Sequence, residues 1–219
     1  MTQRTTHETG SVTTEVADGV GSVTFGHPKG NSLPAVLLAE LAARITALGQ
    51  EPRARVIVLR SEGTGAFCAG ASFAELSAIA DVEGGTRFFL GFANLINAMR
   101  ECPKFILARV HGKVVGGGVG MVAASDYALA TTGAQVKLSE LAIGIGPFVV
   151  GPAIERRIGV GNYAALGIDA AEWRSAEWAH QRGLYAELQP DGAALDARVA
   201  TLARQLAANN PEATAAMTI

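Results

Sequence analysis

Between Val12 and Phe25 branched apolar residues alternate with small polar ones, and Asp18-Gly19 interrupts the alternation. A two-residue period broken by Asp-Gly predicts a β-hairpin. After "HPKGNS" the period changes: Leu37, Leu41, Ile45 and Leu48 form one helical stripe, with Ser32 as the expected N-cap and Pro34 in the first turn. "RVIVLR" (55–60) is continuously apolar between its arginines, as a strand covered on both faces would be. A glycine-bracketed loop, "GTGAFCAGASF", comes next. Phe88, Phe92, Leu95, Ile96 and Met99 then recur at helical spacing, and Pro103 marks the exit. "KFILARV" predicts a second buried strand, which leads into "HGKVVGGGVGMVAASD".

"YALAT" and "AQVKL" predict short strands around a turn at Gly133, and from Val150 the pattern is helical with breaks expected at Gly159, Gly161 and Gly183. Leu195, Val199, Leu202 and Leu206 make a last amphipathic helix before Pro211. Strands and helices alternate without the regularity of a dinucleotide-binding sheet, so the class is α/β. The chain lacks GxGxxG and GxxxxGKS, and neither a dinucleotide nor a nucleoside triphosphate is indicated.

Composition narrows the function. The 219 residues are 49% hydrophobic and 17% charged, enough for one well-cored domain, and disorder is excluded. Eighteen basic residues against 20 acidic ones give a net charge of −2, which argues against a nucleic-acid or anionic-membrane partner. Cys68 and Cys102 have no metal-ligand spacing and form no disulfide framework, so a reduced, cytoplasmic protein without a metal is expected. The polar N-terminus lacks the apolar core of a signal peptide, and the longest uncharged stretches are too short to span a bilayer.

The glycines Gly116 to Gly118 carry the chemistry. A glycine run after a buried strand and before a helix leaves backbone N–H groups free at a helix N-terminus, with no β-carbon to block approach. Such a place favours negative charge, either a phosphate or an oxyanion that develops during reaction. The Lys-Ser/Thr pair of a phosphate loop is missing, which leaves an oxyanion hole as the sharper reading and close backbone packing as the alternative. The loop "AFCAGASF" also follows a buried strand and could supply a second donor.

Taken together, "GAFCAGASF", "KFILARVHGKVVGGGVGMVAASDYALAT" and "AQVKLSELAIGIGP" resemble the crotonase superfamily, the enoyl-CoA hydratases and isomerases. The likeness runs from "VTFGHPKGNSL" to "QRGLYAEL". It implies a crotonase-like spiral of ββα units over 1–190 and a helical C-terminal region, apparently truncated, over 191–219. It also implies a homotrimer or dimer of trimers, and an acyl-CoA thioester as substrate with no separate cofactor.

By the same resemblance the backbone N–H groups of Ala71 and Gly117 form the oxyanion hole, and Glu140 is the acid/base. Lys29, Ala69, Gly116, Gly120 and Phe148 are expected to line or approach the substrate. Family hydratases place a further glutamate two residues after the glycine triplet, where this chain has Gly120. Hydration or dehydration of a 2-enoyl-CoA is the leading expectation. A Δ3-Δ2 isomerase using Glu140 alone and a non-catalytic CoA-ester-binding protein are the alternatives.

The flanks of Glu140 are apolar, so its pKa is expected to be raised. Phe148, Val149 and Val150 are expected to add bulk near the acyl group and to restrict it to short or branched chains. Asp126 reads as structural, His111 as a satisfied core histidine and Cys68 as a buried inert thiol. Ser72 and Glu75 are candidates to orient water.

Overall fold

The computed structural model describes residues 2–7 and 10–218. Its strands are β1 (Thr2–His7), β2 (Gly10–Ala17), β3 (Val20–Gly26), β4 (Val56–Ser61), β5 (Ile106–Val110), β6 (Val114–Val115), β7 (Tyr127–Thr131), β8 (Val136–Lys137) and β9 (Glu187–Gln189). Its helices are α1 (Ala35–Gln50), α2 (Phe73–Ser77), α3 (Val82–Arg100), α4 (Gly117–Ala124), α5 (Gly151–Ile158), α6 (Val160–Ile168), α7 (Ala176–Gln181), α8 (Gly192–Ala207) and α9 (Pro211–Met217). Among these helices none is long and apolar enough to cross a membrane.

Among the described residues seven strands form one mixed sheet in the order β1-β2-β3-β4-β5-β7-β9. The first two pairings are antiparallel and the rest parallel. The predicted hairpin is β2–β3, turned by Asp18 and Gly19, both at positive φ (50° and 79°), as a two-residue hairpin turn requires. The polar segment before it forms β1, an edge strand that hydrophobic alternation could not reveal.

The apolar runs are buried on both faces. Ile57, Leu59, Ala108 and Ala130 join the large core beneath α1 and α3, while Val56, Val58, Leu107 and Leu129 meet Leu195, Val199 and Ala203 of α8 on the other side. Arg109, itself buried, reaches Asp196 of α8 through two hydrogen bonds of 2.8 and 2.9 Å.

Two expectations fail in detail. Pro34, not Ser32, is the cap residue of α1; the Ser32 hydroxyl faces His27 Nδ1 at 3.1 Å, and the Ala35 N–H donates instead to the Glu75 carboxylate at 2.9 Å. Gly161 lies inside α6, and the break falls at Gly159, whose φ is 80°. "YALAT" and "AQVKL" do form short strands around the turn at Gly133, and they join different sheets: β7 joins the large one, whereas β8 pairs with β6 in a parallel two-stranded sheet. That small sheet positions the site.

Candidate active site

The loop 65–72 is stitched to β6. Phe67 N–H donates to Lys113 O, and Val115 N–H to Cys68 O, both at 2.9 Å. Gly70, at φ 87°, turns the chain so closely against this strand that a β-carbon there would come within 3.1 Å of Val115 O. On its other side the loop pairs with the chain before α1: Leu33 N–H donates to Gly70 O (2.8 Å) and Ser72 N–H to Leu33 O (3.3 Å). Pairing through the residues either side of Ala71 turns the Ala71 N–H away from Leu33.

The second loop ends in a sharp turn. Gly116 has φ 52°, its own N–H is taken by Lys137 O at 2.9 Å, and Gly117 starts α4. The first N–H groups of a helix have no intrahelical acceptor. Among the described residues neither the Gly117 nor the Ala71 N–H finds one elsewhere, and both residues line the same cavity of about 200 Å³.

Glu140 lies three residues beyond the end of β8. Its Oε1 lies where a β-carbon on Gly116 would approach to 3.2 Å, and its buried Oε2 has no hydrogen-bond partner. Burial without a counter-charge raises its pKa to about 6, in the range of a working acid/base. Apart from Glu140, the side chains lining the cavity are apolar except for Ser139. The arrangement can stabilise negative charge on a small oxygen with two N–H donors and move one proton beside it.

Of the residues singled out from sequence, the structure brings Ala69, Ala71, Gly116, Gly117 and Glu140 to the cavity wall, and leaves Gly120, Lys29 and Phe148 outside it. A β-carbon on Gly120 would lie 2.6 Å from Val150 Cβ, so the space beside it is filled by Val150 and not by substrate. Phe148 points outward and is 82% exposed, so of the three residues expected to add bulk near the acyl group Val149 and Val150 line the cavity and Phe148 does not. Lys29 is an exposed turn residue.

Ser72 and Glu75 cap α2 and α1 and do not reach the cavity. His111 is not satisfied: both ring nitrogens are buried without partners, and burial, with Arg109 and Arg60 nearby, lowers its pKa to about 4. The Cys68 thiol is buried, which pushes its pKa up to about 12 and leaves it inert. Asp126 accepts the Ile106 N–H at 2.7 Å and holds the strand.

Sequence reading missed the aromatic wall, Phe88, Phe89 and Phe92 on α3. The available signal was the adjacent pair Phe88-Phe89, which widens the apolar stripe beyond what one core face needs. Phe92 also explains Gly117 in a second way, since a β-carbon there would meet its ring at 2.4 Å.

The sequence model described as enoyl-CoA hydratase/isomerase matches residues 15–219. A Mycobacterium tuberculosis protein named (7aS)-7a-methyl-1,5-dioxo-2,3,5,6,7,7a-hexahydro-1H-indene-carboxyl-CoA hydrolase is 34% identical over 129 residues, covering 56% of this chain and 49% of its own length. The chain thus spans about half the length of the hydrolases of this name that it matches. A Bacillus subtilis protein named "Probable enoyl-CoA hydratase" is 27% identical, covering 90% of this chain and 76% of its own. The solved Mycobacterium smegmatis enoyl-CoA hydratase superposes with a TM-score of 0.88 at 27% identity, over 93% of this chain and 79% of that one.

Proposed function

This chain belongs to the enoyl-CoA hydratase/isomerase family, and from that premise we propose that it acts on an acyl-CoA thioester by moving a proton at the carbon next to the carbonyl. The carrying observation is the convergence of two acceptor-free N–H groups, on Ala71 and Gly117, with the Glu140 carboxylate, whose buried Oε2 has no partner, in one apolar cavity. In this reading the thioester oxygen accepts from both N–H groups. Glu140 removes the α-proton, the electron pair passes onto oxygen as an enolate, and the donors stabilise it by about 3 kcal/mol each.

The fate of the enolate depends on the number of acids within reach. Glu140 is the one carboxylate that lines the cavity among the described residues, and Val150 and Ile96 fill the space beside Gly120. This favours a 1,3-proton transfer, in which Glu140 returns its proton at the γ-carbon and a 3-enoyl-CoA becomes the conjugated 2-enoyl-CoA. It moves the isomerase ahead of the hydratase that sequence alone placed first. Hydration remains the second reading, supported by the similarity to the Bacillus subtilis protein over most of the chain. Glu140 would then take a proton from a water molecule as the water oxygen adds at the β-carbon, and deliver that proton to the α-carbon. A homotrimer or dimer of trimers is part of the same proposal.

Parallel assays with crotonyl-CoA and a 3-enoyl-CoA decide between the two. Appearance of the conjugated-thioester absorbance from the 3-enoyl-CoA, with crotonyl-CoA unchanged, supports the isomerase. Loss of the crotonyl-CoA absorbance supports the hydratase, and no reaction of either contradicts both.

A further inference from the structure

We infer that Val150 and Gly120 together form the stop that sets how large an acyl group the cavity accepts, an inference that rests on the acyl-CoA reading above. Val150 is buried and lines the cavity on one side. On the other it is seated against bare helix backbone: a β-carbon on Gly120 would lie 2.6 Å from both Cβ and Cγ1 of Val150, and 3.2 Å from Ile96 Cδ1. How far Val150 stands back from the cavity is therefore fixed by the missing side chain at position 120.

The seat is placed to read the acyl chain. Gly120 follows Gly117 by three residues, about 4.5 Å along α4. With the thioester oxygen at the Gly117 N–H and its α-carbon at Glu140, the rest of the acyl group lies in the cavity whose wall includes Val149 and Val150. That wall is stiff. Gly151 N–H donates to Pro147 O at 2.7 Å and Ile154 N–H to Val150 O at 3.1 Å, so Val150 is held by the turn that opens α5. The two atoms that a β-carbon on Gly120 would meet most closely, Cβ and Cγ1 of Val150, lie next to the Val150 backbone, so crowding there moves the wall itself.

Two substitutions then act in opposite directions. Val150→Ala removes both methyl groups of the wall residue and deepens the cavity. Gly120→Ala inserts a methyl group behind Val150 and pushes it into the cavity. The experiment compares kcat/KM for four-carbon and eight-carbon acyl-CoA substrates of the reaction the parent protein catalyses. Val150→Ala is expected to shift the ratio about tenfold towards the longer chain, the scale of one or two methylenes in an apolar pocket. Gly120→Ala is expected to shift it towards the shorter chain. Should Gly120→Ala not fold, Val150→Ile, which adds one methylene to the wall, reads the same narrowing. A parent that turns over acyl-CoA while the ratio stays unchanged, or moves the same way in both directions of the series, overturns the stop and leaves the function standing. A parent that neither binds nor turns over any acyl-CoA overturns the function, and the stop with it.

Discussion

The Glu140 carboxylate lies against the α-carbon of Gly116, where a β-carbon would come within 3.2 Å of Oε1. This contact joins the two loops of the site, because Gly116 is the turn that frees the Gly117 N–H and Glu140 is the proposed base beside it. Gly116→Ala would force a side chain into a φ of 52° with ψ of −119°, a sparsely populated region that costs about 1–3 kcal/mol, and displace the carboxylate as well. Thermal unfolding should show a modest loss, and turnover should fall by a far larger factor than that loss explains.

The pKa of about 6 at Glu140 gives a pH profile with a definite sign. As a base it must be ionised, so the rate should rise through pH 6 and level off above it. Stability runs the other way. The folded value lies above the ordinary 4.5, so between these values the native state keeps a proton the unfolded chain has lost, and stability falls as pH rises. The full difference is about 2 kcal/mol. Glu140→Gln should therefore raise the unfolding temperature at pH 8 relative to the parent, and the gain should vanish below pH 4.5.

Gly117 is held bare by Phe92 as much as by chemistry. Gly117→Ala places its methyl group 2.4 Å from the ring, an overpacking that should cost about 1–3 kcal/mol. Combining it with Phe92→Leu should recover most of that loss in denaturant unfolding. Purely additive destabilisation would show that the ring is not the obstacle.

Arg109 is buried and its guanidinium is matched by Asp196, which anchors α8 to the sheet. Asp196→Ala should cost about 2 kcal/mol, the scale of hydrogen bonds to a charged group on a half-exposed partner. Equilibrium denaturation checks this. A change below about 0.5 kcal/mol, the range of an ordinary surface substitution, would contradict the anchoring role.

The parallel core was legible because its strands are apolar on both faces: Ile57 and Leu59 meet one helical layer, Val56 and Val58 the other. The edge strand β1 was not, since a polar edge carries no hydrophobic period. Ser32 looked like a cap because it precedes an apolar stripe. The cap is supplied instead by Glu75, forty residues on, which local pattern cannot foresee. In the site, the glycine triplet announced the turn at Gly116 and the donor at Gly117. The same glycines also make room for Phe92 and Cys68, so the packing alternative holds alongside the chemical reading. Phe148 was misplaced because neighbouring residues in a non-repetitive loop face different ways; Val149 and Val150 turn inward while Phe148 faces water.

The central claim is that Glu140 moves a proton at the α-carbon of a thioester whose oxygen is held by Ala71 and Gly117. The most direct measurement is deuterium incorporation at that carbon when a short saturated acyl-CoA is incubated in D2O, read by mass spectrometry for the parent and for Glu140→Gln, with acyl-CoA binding measured alongside. Incorporation by the parent, reduced at least a thousandfold in Glu140→Gln while binding persists, is the predicted result. Equal incorporation by both proteins would contradict the role assigned to Glu140, and none by the parent, with acyl-CoA bound, would contradict the enolate itself.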